Sequence, residues 1–271
     1  MLAWVALGAS GAADLTTAGA SNEARTLYRA SELQIFAETF RGDFLRLWEK
    51  PSTGVSSARA EIVSRQIDKH FGADVLNRLL LERFAVHGAA AESRAIIEWA
   101  GGPVGKSVTG RPRARQDSDL FGVLEAYAKQ NTTAPIEQAR VKLLAQISRE
   151  SLLDQVYISS TSVSALLVSI TLALNDDPVG GAPKNTWERL MPELFAKAAE
   201  SMKRYTQATA GALQVEHEHV SNSELGAYLT FRQSSDGRWL SKEAATALLA
   251  VLRAQHEAYT ADLRRVFSKI Q

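Results

Sequence analysis

The chain has 271 residues; 45% are hydrophobic, 23% are charged, and 31 basic against 30 acidic residues leave a net charge of +1. Enough apolar residues for a core argue against a disordered chain, and the balanced charge argues against a nucleic-acid-binding protein, which normally carries a basic surplus. Because the chain has no cysteine, disulfides, thiolate nucleophiles and cysteine-ligated metal centres are excluded.

Residues 1–20 open with a short apolar run that ends in small residues, as a signal peptide does before its cleavage site. The basic residues that normally stand before such a run are missing, so an apolar, disordered tail is the alternative. We expect a signal-peptide remnant here, and therefore a protein that is periplasmic or otherwise exported.

From Ser21 to the C-terminus, apolar residues recur at spacings of three and four, which is typical of amphipathic helices. Helix starts agree with this pattern. Pro135 stands where proline commonly opens a helix, and Ser221 with Glu224 has the spacing of a capping box. No run of strict alternation predicts a strand. We therefore predict an all-α fold, built as a multi-helix array.

A glycine-, proline- and arginine-rich break between residues 101 and 116 predicts a linker. We place an N-terminal helical repeat at 21–115 and a C-terminal helical repeat at 130–271.

The stretch Gln155–Asn175 contains no charged residue and is long enough to cross a bilayer. Serine and threonine residues crowd its first half, and no basic flank or aromatic belt anchors it. We predict the most buried helix of the second half, with no membrane span. A membrane-associating helix remains the alternative.

Two segments repeat. Ile97–Val108 resembles Leu229–Leu240 at an offset of 132, and the segment from Ala24 resembles the segment from Ala139 at an offset of 115. The larger offset predicts an insertion in the second half, around 176–185. These repeats predict two tandem, related helical halves.

The repeated unit is a helix that ends near an aromatic residue, a tight turn closed by glycine, and a basic residue that opens the next helix. The glycines are Gly105 and Gly237. We expect them to be structural turns, because a helix commonly ends on a residue with a positive φ, which glycine adopts most easily.

The second copy matches a known ending at Ser223-Glu224-Leu225, Tyr228-Leu229, Phe231, Ser234, Gly237 and Trp239-Leu240. It resembles the repeated ending of the bacterial proteins catalogued as domain of unknown function 2059. The match covers about 20–30 residues in each half. The resemblance implies an exported helical protein, with no activity and no catalytic residues to carry over.

Ala100–Ser107 fits a relaxed phosphate-loop pattern, with Lys106 and Ser107 in the phosphate- and magnesium-binding places. A phosphate loop follows a buried strand, whereas this segment follows a helical pattern. We therefore expect a structural turn and predict no nucleotide or other cofactor.

His217 and His219 are the densest group of possible metal ligands, yet residues two apart on a helix point to different sides. A fraying helix end would make them weak metal candidates, and a solvated helix end is the simpler interpretation. No Gly-x-Ser-x-Gly motif is present, so no catalytic residue is predicted.

Trp99 and Trp239 flank the two glycine turns, where they either anchor the core or contact a partner. We predict a non-catalytic binding module of the cell envelope that takes a protein, a peptide or a small apolar ligand between its halves. The alternative is a hydrolase or metal-dependent enzyme. Its site would gather carboxylates and histidines only in three dimensions, from His70, His87, His217, His219 and His256.

Overall fold

The computed structural model describes residues 21–86, 91–109, 135–183, 185–200 and 202–270. Over these ranges the chain forms α-helices and one short 3-10 helix, Pro51–Gly54, and no strand. The predicted all-α, multi-helix array is therefore confirmed. The signal-like segment 1–20, residues 110–116 of the predicted linker, and His87 lie outside the described residues. The first part of the predicted linker is not a loop, because residues 103–109 form a helix.

The helices of the first half lie within the predicted N-terminal repeat, residues 21–115, and the last of them occupies part of the predicted linker. They are α1 (Asn22–Ala30), α2 (Gln34–Glu49), α3 (Ser57–Phe71), α4 (Ala73–Ala85), α5 (Ala91–Gly101) and α6 (Pro103–Thr109). Those of the second half are α7 (Pro135–Glu150), α8 (Leu153–Asp176), α9 (Thr186–Glu200), α10 (Met202–Glu216), α11 (Asn222–Gln233) and α12 (Ser235–Phe267).

Helix starts follow the local chemistry that the sequence predicts. At α11 the Ser221 side chain accepts a hydrogen bond from the Glu224 backbone N–H at 3.2 Å, and Glu224 accepts one from the Ser221 backbone N–H at 2.8 Å. The predicted capping box is therefore confirmed. Helix α7 begins at Pro135, also as predicted.

One continuous core joins the two halves. Helix α8 packs against α2 from the first half and against α9, α10 and α12 from the second. The 33-residue helix α12 also packs against α3, α4 and α5. Helices of both halves therefore pack against α8 and α12. Because they share these two helices, neither half has a separate core.

Helix α8 contains the predicted uncharged stretch, Gln155–Asn175, and most of its side chains are buried, as predicted. Within the described ranges it is also the one helix long and apolar enough to cross a membrane, with a mean hydropathy of 1.7 over its most apolar window, of which 67% is buried. A core helix of a water-soluble protein passes the same test, so the finding is weak evidence for a span.

The α1–α2 and α7–α8 turns are built alike. Glu32 and Leu152 occupy them with φ values of 62° and 55°, and both lie in the left-handed region that side chains other than glycine rarely adopt. They are 120 positions apart (152 minus 32), so the structure indicates a register five residues away from the predicted 115. The predicted alignment of this segment is based on similar residue types, and it does not align the two turns that have the same backbone conformation.

Later elements continue the correspondence. Helices α3 and α9 both have 15 residues, and their first residues, Ser57 and Thr186, are 129 positions apart (186 minus 57). The offset between corresponding positions therefore increases from 120 to 129 before the start of α9, near the predicted insertion. These parallels support two related halves, whose common origin stays a prediction.

The two repeated glycines lie in the same surroundings. A Cβ on Gly105 would lie 2.2 Å from the Trp99 carbonyl oxygen, and a Cβ on Gly237 would lie 2.1 Å from the Phe231 carbonyl oxygen. Both glycines sit in the first turn of the second helix, against the end of the first. No glycine in the described ranges has a positive φ. The expected reason for glycine is therefore wrong, and close backbone contact is the actual one.

Candidate functional site

The described histidines lie in separate surroundings. His217 is fully buried, whereas His219 is exposed and its Nε2 lies 3.1 Å from the Ser107 carbonyl oxygen. His70 contacts Asp262 (Nε2 to Oδ2, 3.0 Å), and His256 is buried in another part of the core. No group of three or more histidine, aspartate or glutamate side chains able to hold a metal occurs among the residues that the structure covers.

The segment that resembles a phosphate loop is helical. Lys106 and Ser107 lie within α6, and the Lys106 backbone N–H donates to the Gly102 carbonyl oxygen at 2.9 Å. A phosphate loop needs such amides free to cradle the phosphates. The amide of Lys106 is already used within the helix, so the segment does not have this geometry.

A buried polar cluster lies where the α1–α2 turn meets α11. We call it the Glu32 cluster; its members are Glu32, His217, Tyr228 and Arg232, each 0–1% exposed. The Glu32 Oε1 atom accepts a hydrogen bond from His217 Nε2 at 2.8 Å. The Glu32 Oε2 atom lies 3.6 Å from Arg232 Nη2. The cluster therefore places one carboxylate between a guanidinium and an imidazole.

Tyr228 and Arg232 lie one helical turn apart on α11 and bind each other. The Arg232 Nε donates to the Tyr228 hydroxyl at 2.8 Å, and Arg232 Nη2 donates to the Ala30 carbonyl oxygen at 2.7 Å. The Tyr228 hydroxyl also hydrogen-bonds to Glu32. Because Ala30 ends α1, these bonds tie the end of a first-half helix to a second-half helix.

The backbone holds both ends of the cluster. Glu32 reaches the interior from the left-handed position of the α1–α2 turn. His217 directly follows α10, and its carbonyl oxygen accepts a hydrogen bond from Arg140 of α7. Arg140 also donates to the Val220 carbonyl oxygen at 2.8 Å. The predicted fraying of this helix end is thus a turn whose carbonyls an arginine satisfies.

Burial sets the protonation states here. Removal from water raises the pKa of the Tyr228 phenol well above its ordinary value, and the Arg232 charge opposes that rise only in part. The phenol is therefore neutral at any physiological pH.

Aromatic rings cover the cluster. The Trp99 ring stacks on Phe231 with centroids 3.8 Å apart and planes 7° apart, and it lies 5.7 Å from the Tyr228 ring. Trp99 and Trp239 are both partly buried and pack against the core. Trp99 thus joins residues at matching places of the two repeated segments.

Three of the four members of the Glu32 cluster, namely Glu32, Tyr228 and Arg232, were not predicted as site residues. Glu32 and His217 are 185 positions apart, so no local pattern connects them. One signal was present at the repeat: at the offset of 132, Arg232 aligns with Ala100 and Tyr228 with Ile96. The first copy thus has apolar residues where the second copy has polar ones. This difference indicates that the fold itself does not require a polar side chain at these two positions.

Comparison with protein-family models, with curated proteins and with solved structures gives no significant match.

Proposed function

We propose that the protein is a non-catalytic helical module of the bacterial cell envelope that binds another protein or a peptide. The observation that carries this proposal is the separation of the histidines: His70, His217, His219 and His256 have four different surroundings. An enzyme that assembled its site in three dimensions would bring several of them together with carboxylates.

The Glu32 cluster supports the same proposal. It contains the side chains best suited to acid–base chemistry, yet its members are 0–1% exposed and bond to one another. A catalytic group must contact its substrate. The cluster is better suited to fixing how the halves fit together, a role that buried ionic groups have in other proteins.

The competing enzyme hypothesis rests on His70 and Asp262, whose side chains are 8% and 17% exposed. Such a pair orients an imidazole for general-base catalysis. Its other ring nitrogen lies 3.3 Å from the side-chain oxygen of Gln255, which is not a nucleophile. Lys69 also binds Asp262. These contacts resemble a surface ion-pair network more than a catalytic triad.

A cross-linking experiment in living cells tests the proposal. A photoreactive amino acid replaces Trp239, at the second-half corner, or Ala58, an exposed residue of α3 that serves as the matched control. We expect one discrete cross-linked product in the periplasmic fraction from position 239 and none from position 58. Full retention in the cytoplasm, or equal labelling from both positions, would overturn the proposal.

The enzyme hypothesis has its own readout. If cells that lack the gene show a growth or envelope defect, His70→Gln should restore growth as well as the parent gene does. Loss of complementation by a variant that keeps the parent melting temperature would favour the enzyme instead.

A further inference from the structure

His256 is a buried imidazole without a partner. It is 4% exposed on α12, and neither ring nitrogen has a hydrogen-bond partner among the described residues. Its ring centroid lies 5.2 Å from the ring centroid of Trp187, the second residue of α9. The imidazole therefore sits under the start of α9, in contact with an aromatic ring and away from water.

Helix α9 is an outer helix with few attachments. It packs chiefly against α8, and the side chains of Trp187 and Met191 are buried there. An ion pair between Glu188 and Arg253 joins it to α12, but both side chains are about half exposed (52% and 48%). Exposed ion pairs contribute little. Apolar contact with α8 and α12 therefore holds α9 in place.

The charged groups that bear on His256 come from two helices. Burial has the largest effect and lowers the pKa of the imidazole to about 4; Glu188 on α9 opposes it, and Arg253 on α12 adds to it. Helix α8, the third element at this place, has no ionisable side chain except tyrosine between Gln155 and Asn175. No carboxylate hydrogen-bonds to the ring to offset the burial.

We propose that α9 is a strap over α8 that is released when acid protonates His256. Above about pH 6.5 the imidazole is neutral whether α9 is docked or released, so pH has no effect. Below that pH the water-exposed ring of the released state binds a proton and the buried ring does not. Docking therefore weakens as pH falls from about 6.5 to about 4 and changes no further below that.

The size of the effect follows from the two pKa values. A difference from the ordinary 6.5 to about 4 corresponds to at most about a 300-fold fall in the docking constant. Release would uncover the apolar side of α8 that α9 covers. The strap thus controls access to the most apolar of the described helices.

The chain has no cysteine, so spin labels attach only to cysteines that are introduced for the test. Spin labels on Ala196→Cys (α9) and Ala254→Cys (α12), both exposed positions, report the distance between the strap and α12. Labels on Ala58→Cys (α3) and Ala261→Cys (α12), also exposed, form the control pair. Distances are measured by pulsed electron paramagnetic resonance at pH 7.5 and at about pH 4.5, which lies inside the titration window.

We expect the α9–α12 distance to lengthen and broaden at the lower pH, while the α3–α12 distance stays unchanged. The same pair in a His256→Phe background should keep its distance at both pH values, because the phenyl ring cannot be protonated. If that ring disturbs the fold at pH 7.5, as circular dichroism would show, His256→Gln takes its place. An unchanged α9–α12 distance, simultaneous change in both pairs, or equal release in the uncharged background would each overturn the proposal.

Discussion

Replacing Gly237 by alanine tests the close contact between α11 and α12. The added Cβ would lie 2.1 Å from the Phe231 carbonyl oxygen and 2.7 Å from the Arg232 Cα atom. Both atoms belong to the backbone, so no side chain can rotate away and the corner must open. Overpacked positions cost about 1–3 kcal/mol, and we expect the upper end, about 3 kcal/mol, because Arg232 belongs to the Glu32 cluster.

Gly226 provides the matched control within α11. Nothing lies within 4 Å of a Cβ placed there, so Gly226→Ala should raise stability by about 0.5–1 kcal/mol through helix propensity. The measurement is the free energy of unfolding from urea titration, together with the melting temperature. For a chain of this size a loss of about 3 kcal/mol lowers the melting temperature by about 6–12 °C.

Equal stability of Gly237→Ala and Gly226→Ala would refute the reasoning, since it would mean that the corner has room for a side chain. Gly105→Ala extends the test to the first half, where the Cβ would lie 2.2 Å from the Trp99 carbonyl oxygen. Similar losses at the two glycines are expected, because the corners share one geometry.

Two further substitutions probe the interior, and a third probes the start of one helix. Glu32→Gln leaves the buried Arg232 charge without its carboxylate and should lower the free energy of unfolding by about 3–5 kcal/mol; Glu61→Gln, whose side chain is 68% exposed, should change it by less than about 1 kcal/mol. Tyr228→Phe removes the hydroxyl that accepts from Arg232 and should cost about 1–3 kcal/mol, with no change in the far-ultraviolet circular dichroism of the folded protein. Ser221→Ala removes half of the capping box and should cost about 1 kcal/mol, measured as a shift of the urea midpoint at constant slope.

The helices could be predicted because their causes are local. Apolar spacing of three and four, the proline at residue 135, and the Ser221–Glu224 pair each act within one or two turns, and each appears in the structure as expected. The uncharged run at 155–175 also predicted a buried helix correctly, since hydroxyl side chains can bond to the carbonyl four residues earlier, as Thr171 does.

The interior contacts could not be predicted because their causes are distant. Glu32 comes close to His217 and Arg232 only after the chain has folded. The residues next to Glu32 in the sequence therefore do not indicate these partners. The glycines show a subtler limit. Their repetition was visible in the sequence, but the sequence does not distinguish a glycine with a positive φ from a glycine against a neighbouring backbone. The structure identifies the second cause.

Helix α12 has a consequence for how the chain acquires its structure. It is the last helix of the described residues in chain order and has 33 residues. It packs against α3, α4 and α5 as well as α8. During synthesis the first half therefore leaves the ribosome long before the surface it packs against exists. Burial of the first-half surface that α12 covers therefore waits until α12 has been made, and a nascent chain that stops before residue 235 should be more sensitive to protease than the full chain.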